Sequence, residues 1–360
     1  MKSVFIALRR LERDIGAVES FVRLGEWARA CNLSLMDDGR ANDERNLDSR
    51  RMDYSATLSR LYFCYESFIY SCIREWVTYA LANRLRAENF SYDTFFDEYA
   101  VGCGQILQRT GEQRFSHITK KQITESLYAV LERKDSAKVI VEALSVDLPN
   151  LRLSALQSAC QRAQLHGLNE WLGCREDLDD ACSDFIGSPL IDNALKDFVE
   201  RRNSISHARF EDDGIYATNI LLKLCDLVKK LCSVFAEFVS YNYLGRGMNS
   251  VVTLGSVSGY LKKVDCHLVE ASAEMFDVGR EVYLCRPNTG RCFPAHIAGI
   301  QLEGEPMLGV TTGVGDIIGV KLSAVAKKGT LVMRALEIPG ASDAKKWFLD
   351  LQSKRAARAA

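Results

Sequence analysis

Two textures divide this 360-residue chain. Up to about Leu244 apolar residues return every three or four positions; after Gly245-Arg246-Gly247 they alternate in short β-branched runs broken by Gly, Pro and Asn. Those periods belong to amphipathic helices and to half-buried strands. An apolar share of 47% against 26% charged favours packed cores over disorder, so the chain is predicted to be a multidomain α plus β protein. An N-terminal all-α helical bundle with inserted helices is expected over 1–245, a small antiparallel β-barrel over 250–338, and a basic tail over 339–360.

The first helix is expected over residues 1 to about 28, where Phe5, Leu8, Leu11, Ile15, Val18 and either Phe21 or Val22 share a face. Residues 32–52 are polar and poorly periodic and read as a mobile loop, with Arg40, Arg45, Arg50 and Arg51 able to touch phosphate. A long aromatic helix follows over 53–86. Residues 87–115, aromatic and glycine-bearing, read as a connection, and 118–134 regain helical spacing through Ile123, Leu127, Val130 and Leu131. Short helices are expected over 137–189, including 150–157 and 165–168, so that about 87–189 is an insertion relative to a four-helix bundle. Gly187-Ser188-Pro189 opens the next helix, which ends in a turn containing Asp212, Asp213 and Gly214. A closing helix over 219–243 carries Leu224, Val228, Leu231, Phe235 and Phe238 on one stripe, with Lys223, Asp226, Lys229 and Lys230 opposite. Strands are expected over 251–257, 279–285, 295–302, 317–322 and 331–336.

The net charge of −1 excludes a chain-wide basic field for nucleic acid, so any RNA contact must come from local clusters. Residues 251–360 balance to +3 and 1–250 to −4, too mild an asymmetry to single out either part. Twelve cysteines without a CxxC pair, several inside apolar helical patterns, point to a reducing compartment and a cytoplasmic location. Cys285, Cys292 and His296, even with Cys266 or His267, lack the paired knuckles of a structural zinc site and read as strand and loop residues, so no metal is expected. No run approaches the ~18 apolar residues of a spanning helix, and no membrane partner is expected.

Chemistry concentrates in Arg202-Asn203-Ser204-Ile205-Ser206-His207. Arginine offers a permanent planar fork of donors suited to phosphate, and histidine exchanges a proton near neutrality. Residues five apart on a helix lie about 140° apart around its axis and ~7.5 Å along it, whereas Asn203 and His207 are neighbours one turn apart. Asn and Ser residues compete for local hydrogen bonds and loosen a helix, which lets the Arg202 side chain curl toward both. Arg201 offers an alternative pairing one residue longer, and Arg209 a further phosphate contact.

Arg202, polar Asn203 and His207 resemble the R-polar-x-x-x-H signature of HEPN domains, helical bundles many of which are metal-independent endoribonucleases. The order of motif helix, short turn and long closing helix is similar, and Tyr62-Phe63-Cys64-Tyr65-Glu66-Ser67-Phe68-Ile69-Tyr70 looks like that family's early aromatic helix with an embedded glutamate. The resemblance implies RNA cleavage by 2′-OH attack without a cofactor, with Arg202, His207 and Asn203 as the catalytic set and Arg201 and Arg209 as substrate contacts. A composite site then requires a homodimer through the motif helix. Toxin–antitoxin or anti-phage function, with an antitoxin or defence partner protein, is implied by the same analogy. Some HEPN toxins carry a modifiable tyrosine two residues after the histidine; Arg209 stands there, which puts that mode of silencing in doubt. Glu66, a lone carboxylate on an aromatic helix, reads as structural. Residues 278–284, 297–301, 315–322 and 328–332, within a stretch of about 85 residues, are similar to the second-domain barrel of elongation factor Tu-like translation proteins, which implies a fold and hints at an RNA- or ribosome-linked partner. The competing reading is a non-catalytic module that binds RNA or protein, with the barrel as adaptor.

Overall fold

The computed structural model describes residues 2–35, 39–82, 90–134, 138–147, 150–206, 215–246 and 251–335. They fall into two compact units, a helical one through Val239 and a β-rich one from Ser240 onward. The mixed α and β composition predicted from the two textures is present.

In the helical unit α1 (Lys2–Leu35) buries Phe5, Leu8, Leu11, Ile15, Val18 and Val22; Phe21 turns outward, which settles that face on Val22. The long helix α2 (Gly39–Ala82) begins far earlier than its aromatic part. The loop expected over 32–52 is therefore corrected: α1 continues to Leu35, and 39–52 are helical. Residues there are mostly polar, so no apolar period marks the helix. Arg51 bonds Asp48 one turn back at 3.1 Å, and Arg29 of α1 clamps Asp53.

The connection expected over 87–115 is likewise a helix in its centre, α3 (Tyr92–Gln108), capped by the Ser91 hydroxyl. Its glycines suggested a break, but Gly102 serves close packing. A Cβ there would stand 1.9 Å from the Ala143 carbonyl oxygen of the 3-10 turn Val141–Leu144. Next come α4 (Lys120–Leu131), opened by the capping box Thr119–Gln122, then α5 (Leu153–Arg162), α6 (Leu168–Gly173) and α7 (Glu176–Ile186). This middle stretch is pinned onto α2. Tyr65 Oη donates to the Leu151 carbonyl at 3.1 Å, the Leu151 N–H donates to Tyr62 Oη at 3.0 Å, and Trp76 Nε1 donates to the Ala163 carbonyl at 2.8 Å.

Gly187 caps α7 with φ of 71°, a left-handed conformation glycine adopts at little cost, and α8 (Ile191–Ser206) follows. The turn expected at Asp212, Asp213 and Gly214 lies outside the described residues. The closing helix α9 (Thr218–Arg246) buries all five residues of its predicted stripe. It also buries Glu237, which receives Arg175 Nη1 at 3.1 Å.

The β unit contains β1 (Val251–Leu261), β2 (Cys266–Ser272), β3 (Met275–Asp277), β4 (Glu281–Arg286), β5 (Arg291–Leu302), β6 (Glu305–Met307), β7 (Gly309–Thr311), β8 (Val314–Leu322) and β9 (Leu331–Ala335). The five predicted strands are present; β2 and the three-residue β3, β6 and β7 were not foreseen. Every pairing is antiparallel, in the order β4-β9-β1-β2-β8-β5, and β5 also pairs with β4, so the succession returns to its start. Leu254, Val269, Phe276, Leu284, Ile297, Ile318 and Val332 form the apolar core. Residues 336–338 and the basic tail lie outside the described residues.

Candidate functional site

Helix α8 packs along α2 through its apolar positions. Phe198, 1% exposed, sits against the rings of Tyr62 and Tyr65 at centroid distances of 6.0 and 6.4 Å. One turn further on, that packing delivers Arg202 to the same helix. Its guanidinium carbon stands 4.7 Å from the Tyr62 ring centroid, and Nη1 donates to Asn203 Oδ1 at 3.2 Å. Such stacking contributes about 0.5–2 kcal/mol and restricts where the planar fork points.

Tyr62 links this arginine to a carboxylate. Its hydroxyl donates to Glu66 Oε1 at 3.3 Å while accepting the Leu151 N–H. Burial raises the Glu66 pKa above the usual carboxylate range, against the pull of Arg114, the Tyr62 hydroxyl and Arg202. Glu66, read from sequence as structural, thus lies within the electrostatic reach of Arg202. Burial, reinforced by Glu66, also raises the Tyr62 phenol, so Tyr62 is a neutral donor at physiological pH.

Arg201 faces elsewhere. Its guanidinium carbon lies 3.9 Å from the Tyr216 ring centroid and Nε donates to both Asp197 oxygens at 3.1 Å, while the Tyr216 hydroxyl bonds the same carboxylate. Arg201 therefore ties α8 to the start of α9. Of the predicted site residues, Arg202 and Asn203 are brought together and Arg201 is directed away from them; His207 and Arg209 lie outside the described residues.

Sequence reasoning missed Arg114. Its guanidinium donates to the Ser145 carbonyl at 3.2 Å and the Val146 carbonyl at 3.4 Å, next to the Ser145 hydroxyl that donates to Tyr70 Oη at 3.0 Å. Arg109 reaches the Val146 carbonyl at 3.1 Å and Arg162 the Leu144 carbonyl at 3.3 Å, so three arginines converge on the end of one 3-10 turn. No periodicity marks such residues. The one available signal was the four-residue recurrence of Tyr62, Glu66, Tyr70 and Arg74 along α2.

The cysteine–histidine group does not assemble a ligand set. Cys285 and Cys292 are opposite one another across β4 and β5, both fully buried thiols, while His296 pairs with Glu281 at the other end of that ladder. Among the described residues no three His, Cys, Asp or Glu side chains converge on one point, and no helix is long and apolar enough to cross a membrane. No protein-family model matches the chain, and a search of the curated proteins finds no match to it.

Proposed function

We propose that the chain is a metal-independent endoribonuclease whose composite site is formed by Arg202, Asn203 and His207 of two subunits. In this reading the helical unit is a HEPN-type bundle built on α2, α8 and α9, the middle helices are its insertion, and the returning strand succession is a closed barrel. The observation that carries it is the seating of Arg202, half-buried on the motif helix, held over Tyr62 and bonded to Asn203. A guanidinium fixed this way can hold a phosphate in one orientation.

The chemistry follows from the residue types. His207 accepts the proton of the ribose 2′-OH as 2′-O bonds to phosphorus. The partner subunit's His207 donates a proton to the 5′-oxygen as the P–O5′ bond breaks, and the paired arginines hold the phosphorane's charge. The products carry a 2′,3′-cyclic phosphate and a 5′-hydroxyl. Asn203 orients the guanidinium.

The test is incubation of total RNA with the protein in EDTA beside Arg202→Ala and His207→Ala, with the end groups read by phosphatase and kinase treatment. Cleavage by the parent alone with those ends supports the nuclease, and intact RNA with retained binding by all three overturns it. In that second outcome the chain is a binding module. The β unit favours this reading for its own role, since Leu308, Val314 and Ile317 stand 86%, 84% and 61% exposed. A link to toxin–antitoxin or anti-phage systems stays an analogy with the family.

A further inference from the structure

Tyr62, Glu66, Tyr70 and Arg74 follow one another at four-residue steps, so each neighbours the next along one winding row of α2. From first to last the row covers about 18 Å of helix. Arg202 lies over its first member. At its centre the Tyr70 hydroxyl is held by Ser145, whose carbonyl is held in turn by Arg114. At its far end Arg74 Nη2 and His117 Nε2 approach the same oxygen of Glu142, at 3.9 and 3.6 Å. The cations come from separate segments, α8, α2 and the stretch between α3 and α4. Their convergence on one row is a product of the fold, not of local sequence.

The charges can be counted. Arg202, Arg114 and Arg74 face Glu66 and Glu142. Glu142 is shared between Arg74 and His117, and Glu66 is drawn into the row by the Tyr62 hydroxyl. Arg114 is exposed, and the side chains of Arg74 and His117 are 46% and 62% exposed. The far end of the row is therefore open to a ligand that comes from solvent.

We propose that this row is the track for a single-stranded RNA, running from the phosphate held at Arg202 past Arg114 and Tyr70 to a phosphate held by Arg74 and His117. The inference rests on the nuclease reading of Arg202, and it adds the direction in which the strand leaves the cleft and the residues that set the length bound. A single strand fits and a duplex does not. Cations brought from three segments onto one row of α2 form a narrow line, which suits a flexible single-stranded backbone; an A-form helix hides its bases and needs a broad surface. In-line attack by a 2′-oxygen also requires a strand that can depart from A-form geometry.

The experiment uses the full chain carrying His207→Ala, which keeps RNA intact, and fluorescein-labelled oligouridines of increasing length read by anisotropy over a range of salt. Affinity is expected to rise with length and then level off once the track is filled. Arg74→Ala and Arg114→Ala should each weaken binding and make the slope of log affinity against log salt shallower by ~0.7, the share of one phosphate on a single strand. Arg114→Lys, which keeps a charge, should restore the slope. Thermal melts of each variant check folding. Parental affinity and slope in both arginine variants, or equal affinity for duplex RNA, overturn the track even if the parent cleaves RNA. Conversely, weakened binding in those variants beside a parent that never cleaves leaves the track standing and removes the nuclease.

Discussion

Arg202 of α8 lies over the ring of Tyr62 of α2, and the hydroxyl of that same ring is bonded to Glu66 and to the Leu151 backbone. Tyr62 thus does two separable things, stacking and hydrogen bonding. Tyr62→Phe keeps the face for Arg202 and should retain most RNA cleavage while losing stability, about 1–3 kcal/mol for leaving the Leu151 N–H without an acceptor. Tyr62→Leu also removes the face and should lower cleavage a further ~10-fold, since about 1.4 kcal/mol of arginine placement converts to that factor. Rates on a fixed RNA substrate, beside urea unfolding of both variants, separate the two effects. Equal rates in Phe and Leu variants would show that the ring does not position the guanidinium.

Arg175 should be among the least tolerant positions of the helical unit. It is 1% exposed and satisfied by Asp177 at 2.8 and 3.0 Å and by buried Glu237 at 3.1 Å. Glu237→Ala removes one acceptor while Asp177 and the Gly290 carbonyl, which accepts from the same Nη1 at 2.7 Å, remain, and should cost about 1–3 kcal/mol. Arg175→Met combined with Glu237→Leu should cost less than the sum of the two single changes. Urea unfolding of the single and double variants closes the cycle. Additive losses would refute the coupling.

Which features could be read from sequence follows from what holds each element. Stripes of large apolar residues announced α1, α9 and the long strands, because core burial and periodicity are the same fact seen twice. Elements held by other means were silent. The start of α2 carries no stripe, and α3 was hidden by the glycines that let it approach a backbone. The strand β2 was obscured by His267 in a buried position and by Ala271 and Ser272, small residues with weak strand preference. At the site, Arg202 and Asn203 were visible as a motif. Arg114 was not, because what gives it a place is a carbonyl on a turn some thirty residues away.

Gly102 yields a prediction from that hidden helix. The Ala143 carbonyl oxygen occupies the space a methyl group would need, and neither backbone can retreat without disturbing Tyr99, whose hydroxyl bonds Ser126 at 2.6 Å and accepts the Ile140 N–H at 2.9 Å. Gly102→Ala should therefore destabilise by about 1–3 kcal/mol despite alanine's better helix propensity. Gly104→Ala, with nothing within 4 Å of the new Cβ, should be neutral or stabilising by up to about 1 kcal/mol. Opposite shifts in melting temperature for the two variants are the expected result, and a stabilised Gly102→Ala would refute the close approach.

His267 gives the β unit a pH dependence of determinable sign. It is 1% exposed, its Nε2 accepts the Ala326 N–H at 3.1 Å, and Tyr260 lies against it at 4.8 Å between ring centroids. Burial lowers its pKa below the ordinary imidazole value, against the opposing pulls of the Val320 carbonyl and Asp265. The unfolded chain therefore takes up the proton at a higher pH than the folded one. The stabilisation is fully present above about pH 6.5 and is lost as pH falls from there through the folded-state value. Protonation also converts the acceptor of the Ala326 N–H into a donor, so the two N–H groups would oppose each other. Urea unfolding from pH 7.5 down to about pH 5, followed by hydrogen exchange of the β-unit amides, should show stability falling in the parent. His267→Gln keeps an acceptor without a titrating group, and it should flatten that part of the profile at some cost in stability at neutral pH. A parent profile that stays level below pH 6.5, or a His267→Gln profile that falls as steeply, would mean that another group governs the acid response.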